Sequence, residues 1–285
     1  MTPNPSTLRL ALMAIAFSAT QASVAIHAQE ADVQVVLQNG RSVPLSSLGL
    51  QGDSLVVTAA AGIFTAGQKI PLQAVDHVYG VMPAEINQAT ALLLIEKPKE
   101  AKALLEPIIV KHRVTAKFSG NFWLEAARML LLAHALNGDA TSATAIGKEI
   151  SEATPEQGND PFVSLGKALL MPALTTKVED RELVLRDLMT DANLTEICAL
   201  ASYFRGNLFL KDKRKPEALE AFLTVPCLYP SGGLIVNAAA EMQAADLLTE
   251  LTRPEESKLL LQSALREADG TALATEINKR LESLK

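Results

Sequence analysis

Two patterns of apolar and polar residues divide the chain. From Asp32 to Gly80 the apolar positions come in short, partly alternating runs separated by turn residues. Val33–Gln38 predicts a strand, Asn39-Gly40 a hairpin turn, and Arg41–Leu45 the returning strand. Ser54–Thr58, Ile63–Thr65, Lys69–Leu72 and Ala74–Tyr79 predict further strands around turns at Gln51-Gly52-Asp53 and Ala61-Gly62. Short strands this closely spaced predict a small all-β roll or barrel at 32–80. Its core is marginal alone, so it needs the rest of the chain or a partner to lean on. After Met82-Pro83 the period changes to that of helices and stays so to Lys285.

Within the helical part, Ala199–Pro230 has the clearest internal grammar: two antiparallel helices joined by a polar turn at Asp212–Lys213. Gly206, Phe209, Ala218, Phe222 and Pro230 follow at intervals of 3, 9, 4 and 8. Gly206 and Ala218 are small where two helices press together. Phe209 and Phe222 lie one turn beyond them on the same faces. Pro230 ends the unit. The same frame fits Ala89, Leu92, Ala101 and Leu105 in Glu85–Arg113, with Pro107 expected to kink the second helix. It fits Leu131, His134, Ala143 and Gly147 in Leu124–Pro155, and Ala245, Leu248, Ser257 and Leu261 in Glu241–Asp269. Asp160–Asn193 is a weaker copy. Thr271–Lys285 reads as a last helix capping the final hairpin.

The spacing in Ala199–Pro230 resembles the tetratricopeptide repeat, over the helical part 83–285 only. Two positions depart from that pattern: Arg205 stands where the family prefers Leu, and Ser202 where it prefers Trp. A generic amphipathic hairpin is the alternative. The resemblance implies a mainly α fold, an α-solenoid of about five hairpins behind the β-module. It also implies a concave groove lined by the first helix of each hairpin. Carried over by residue, Tyr203, Asn207 and Lys211 line that groove in the best unit, Arg128 and Leu132 in the second, and Met242 and Asp246 in the last.

Composition sharpens this picture. Aromatic residues are only 4% of the chain while Ala and Leu dominate the apolar set, which favours helices. Net charge is −6, and the one dense basic run, Lys211–Lys215, coincides with the hairpin turn, which argues against nucleic acid as a partner. Residues 1–28 read as a secretory signal peptide. Arg9 precedes the apolar run Leu10–Ala19, and small residues follow toward Ala25 and Ala28. That run is too short for a membrane span. The expectation is an exported protein, periplasmic or extracellular, with no stable membrane span after cleavage.

Two cysteines in an oxidising compartment tend to pair. Cys198 and Cys227 are equally far from the turn at Asp212–Lys213. Pro226 would let Cys227 leave the helical path, which predicts a structural disulfide across the open end of the hairpin. Two buried thiols are the alternative. The histidines His27, His77, His112 and His134 lack metal-ligand spacing, and His134 reads as a core residue. No nucleotide, nucleophile or metal motif is present, and no cofactor is expected. The reading is a scaffold, not an enzyme, that binds a protein or peptide partner in the cell envelope. An accessory subunit of an envelope enzyme, or an assembly role in which the β-module pairs edge to edge in a homo-oligomer, is the rival.

Overall fold

The computed structural model describes residues 33–154, 160–191 and 194–284. The expected signal peptide at 1–28 lies outside them, as do Pro155 and Asn193. Six strands form the N-terminal module: β1 (Gln34–Leu37), β2 (Ser42–Pro44), β3 (Leu48–Gln51), β4 (Ser54–Val57), β5 (Lys69–Pro71) and β6 (Val75–Tyr79). They make two three-stranded antiparallel sheets, ordered β2-β1-β6 and β3-β4-β5. The chain repeats itself here. A hairpin ending in Val43-Pro44 or Ile70-Pro71 runs into a single 3-10 turn, Leu45–Ser47 or Leu72–Ala74, and then a third strand. That third strand joins the other copy's sheet: β6 pairs with β1, and β3 with β4. The crossing interlocks the two copies around one apolar core that includes Val35, Val43, Leu55 and Val57. Ile63–Thr65, expected as a strand, contributes only an isolated bridge between Ala61 and Phe64.

The module leans on the helical part. Val114, Phe118 and Phe122, from the segment before the third helix, pack into the β core. The Val78 amide donates to the Ser119 carbonyl at 2.9 Å, which covers the open edge of β6. Gly120 makes this approach feasible. Its φ is +71°, and a Cβ there would lie 2.4 Å from the Val78 oxygen.

The described helices are α1 (Ala84–Leu94), α2 (Pro98–His112), α3 (Trp123–Leu136), α4 (Ala140–Ala153), α5 (Pro161–Leu169), α6 (Val178–Asp191), α7 (Thr195–Lys211), α8 (Lys215–Leu228), α9 (Leu234–Glu250), α10 (Pro254–Glu267) and α11 (Ala272–Ser283). Pro107 lies within α2, which remains one helix. Four hairpins turn alike. Glu96, Gly138, Lys213 and Thr252 each take positive φ after the first helix. In each, the next amide reaches back to the carbonyl five residues earlier, as in Arg214 to Phe209 and Arg253 to Leu248, both 2.9 Å. This is the Schellman closure, which satisfies carbonyls left over at a helix end. All sixteen positions of the repeating frame in these four hairpins are buried. Four of the five hairpins thus share one register; α5–α6, the third in chain order, turns through residues 170–177 instead.

The hairpins close on themselves. Helices α1, α3, α5, α7 and α9 pack consecutively side by side, and α9 packs against α1. The outer helices α2, α4, α6, α8 and α10 each pack on a neighbour in this inner set. Helix α11 contacts α10, α9 and α1, so it joins the last hairpin to the first. The Ala272 amide donates to the Gln88 side chain at 2.8 Å across that junction. Inner helices in such a ring are apolar nearly all round, as α7 and α9 are. Alanines of α9, such as Ala238, Ala239 and Ala244, let its neighbours come close. The expected open solenoid with a concave groove is therefore replaced by a filled ring.

Candidate functional site

Closure of the ring decides where the expected groove residues sit. Tyr203, Met242, Leu132 and Arg128 are all buried. None of the four stands on an open groove. Tyr203 donates its hydroxyl to the Leu94 carbonyl at the end of α1, at 2.5 Å. Burial pushes its pKa up. Leu132 belongs to the helical core. Arg128 binds Asp160 through Nε and Nη2 at 3.1 and 2.8 Å, and Glu125 through Nη1 at 3.1 Å. Its guanidinium lies over the Phe162 ring. Asp160 also accepts from the Phe162 amide as the cap of α5. Arg128 is thus a brace between α3 and α5.

Five of the seven residues nevertheless meet at one end of the ring, where α1, α3, α5 and α7 terminate. Two adjoining cavities of about 400 Å³ each open there. Asn207 and Lys211 line both, and Met242 lines the second. Tyr203 lies under them, close to the side chains of Asn207 and Gln243. Lys211 pairs with Glu96 at 2.7 Å, linking the end of α7 to the α1–α2 turn. Asp246 pairs with Arg280 of α11 at 2.8 and 2.9 Å, and burial holds the Asp246 carboxyl above its usual range against that cation's pull. Glu96 and Arg280 were not singled out by the sequence pattern. Glu96 sits two residues before the start of α2, the turn position that Lys213 holds before α8, and that shared position was the available signal.

A second concavity lies between the β-module and the helical ring. It measures about 490 Å³. Leu50 and Leu72 wall it on one side; Val114, Phe118 and Trp123 wall it on the other. Leu50 is 51% exposed and sits on β3, an edge strand that pairs only with β4. The Trp123 indole is buried, and its N–H has no acceptor among the described residues. At the rim, Arg113 pairs with Glu149 at 2.8 Å. Neither Leu50 nor Trp123 was legible as a site residue, although Trp123 is the chain's one tryptophan.

The expected disulfide does not form. Cys198 is buried and its Sγ lies 3.4 Å from the Met189 carbonyl; burial raises its pKa. Cys227 is exposed. Pro226 does not release it from the helix, because α8 runs on to Leu228 and keeps Cys227 on its outward face beside Leu223 and Leu228. The two departures from the tetratricopeptide pattern have structural work. Ser202 donates to the Ala221 carbonyl at 2.8 Å, tying α7 to α8. Arg205 binds Glu182 at 2.7 Å, tying α7 to α6. His134 is buried against Asp139 at 3.1 Å, a core histidine with a partner. Among the described residues no group of three metal-ligating side chains converges, and no helix is long and apolar enough to cross a membrane. No family model, no curated protein and no solved structure matches this chain.

Proposed function

We propose that this chain is an exported binding scaffold that takes an extended apolar segment of a protein partner in the cleft between its β-module and its helical ring. The observation that carries this reading is Leu50, half exposed on an edge strand and facing an apolar wall that includes Phe118 and Trp123. An edge strand offers unpaired backbone groups to an added strand, and flanking apolar pockets select its side chains. The resemblance of the hairpins to tetratricopeptide units, and the signal-like pattern at 1–28, support a binding role in the cell envelope. Binding rather than catalysis is further supported by charges already committed to one another: Arg113 to Glu149, Lys211 to Glu96, Arg280 to Asp246.

A photo-crosslinking residue placed at Leu50 of the full chain tests this in cells. Leu259, on α10 and more exposed than Leu50, is the control position. A second protein captured from position 50 and not from 259 is the expected result. Capture of a second copy alone would replace partner binding by edge-to-edge assembly. No adduct specific to position 50 would overturn the reading.

A further inference from the structure

We infer that the cavity at the ends of α1, α3, α5 and α7 binds a small molecule with an apolar body and a single carboxylate. This is a site separate from the cleft and does not depend on it. The size of about 400 Å³ falls in the range of small-molecule sites. Leu93, Leu136, Leu169, Leu185, Phe204 and Leu208 wall it. Such walls give an apolar body somewhere to go.

The polar groups define the head. Arg181, from α6, lines the cavity, and its Nε is buried with no hydrogen-bond partner among the described residues. A buried guanidinium N–H left without an acceptor is costly, so the site is completed by one. The carboxylates nearby are already paired. Glu182, its neighbour in sequence, is held by Arg205 at 2.7 Å. Glu96 is held by Lys211 at 2.7 Å. Helix ends ordinarily offer free carbonyls to a cation. Here the Leu92, Leu93, His134, Ala135, Phe209 and Leu210 carbonyls accept the turn amides, and Leu94 accepts from Tyr203. Two cations, Arg181 and Lys211, therefore face one anion, Glu96, and the balance is one uncompensated positive charge. A carboxylate matches it and suits the planar guanidinium. Asn207 adds a neutral polar group at the mouth.

Calorimetric titration of the full chain with octanoate tests the assignment, with octanol and octylamine as chain-matched probes. Octanoate should bind at least about tenfold more tightly than either, since the charged contact separates them. Arg181→Gln should weaken octanoate by about tenfold and leave octanol unchanged. Arg181→Lys, which keeps the charge and loses the fork, should fall between. Unchanged urea midpoints show that each variant is folded; should Arg181→Gln unfold, the comparison of probes on the unmodified chain decides. Equal affinity for octanoate and octanol, no octanoate binding, or an Arg181→Gln variant that binds octanoate as before would each overturn the inference.

Discussion

Glu241 shows how much a single buried carboxyl can say about this fold. It lies on α9, only 8% exposed, and its Oε2 has no hydrogen-bond partner among the described residues. Burial pushes its pKa up to about 7, with the Glu267 charge on α10 adding to the rise and Ser263 and Arg266 opposing it. Glu196, at the start of α7, is also pushed to about 7 by burial, next to Glu125 and Asp160. Both carboxyls hold their protons in the folded chain at a pH where the unfolded chain, near 4.5, has released them. Folding therefore takes up protons between about pH 4.5 and 7, and stability falls as pH rises through that window. Glu241→Gln should remove its share, on the order of 1 kcal/mol once partial solvent access is allowed for. Thermal melts should then show the variant a few degrees more stable at pH 8 and close to the parent at pH 4.5. A variant whose melting temperature parallels the parent's at every pH would show that Glu241 titrates normally.

At the scale of the element, the hairpins solve one packing problem in two ways. In α7–α8 the inner helix supplies Gly206 and the outer helix Phe222; a Cβ on Gly206 would lie 2.6–2.9 Å from the ring. In α3–α4 the assignment is reversed. Leu131 comes from the inner helix and Gly147 from the outer, with a Cβ there 3.3 Å from Leu131. The same volume is filled from opposite sides. Gly206→Leu alone should cost about 3 kcal/mol by overpacking. Phe222→Gly alone should cost about 4 kcal/mol or more by leaving a cavity. The double variant copies the α3–α4 solution, so the two should couple favourably by about 2 kcal/mol in urea unfolding. Simple additivity of the two losses would show that the hairpins do not share this contact. This register was legible in the sequence because small and large residues recur at fixed offsets on both helices. The turn that sets it was not, because Glu96, Lys213 and Thr252 occupy a left-handed position that ordinarily favours glycine. Strand β3 was hidden for a related reason. Leu48-Gly49-Leu50-Gln51 has no β-branched residue, and it becomes a strand only through its register with β4, Leu48 opposite Val57.

At the scale of the molecule, the difference between a solenoid and a ring lies in contacts between the two ends of the chain, which no local pattern encodes. Tyr203, an aromatic with a polar tip, and Met242 are both fully buried in a helical part whose last inner helix, α9, meets its first, α1. Helix α11 holds the key to that meeting. Leu273 and Ile277 are fully buried where it packs against α10, α9 and α1, and each such side chain is worth about 2 kcal/mol of burial. In an open array, removing the final helix exposes the last hairpin and leaves the first untouched, since each unit contacts only its neighbours. In a closed ring the loss falls on both ends at once. Deleting residues 270–285 should therefore lower amide-exchange protection in α1 as much as in α9 and α10, while α5 to α7 change less. Replacing Gln88 by Ala, which removes only the bond to the Ala272 amide, should produce the same pattern at smaller amplitude. Protection lost from α9 and α10 alone, with α1 unchanged, would mean that the ring does not close in solution and that an open groove is available after all.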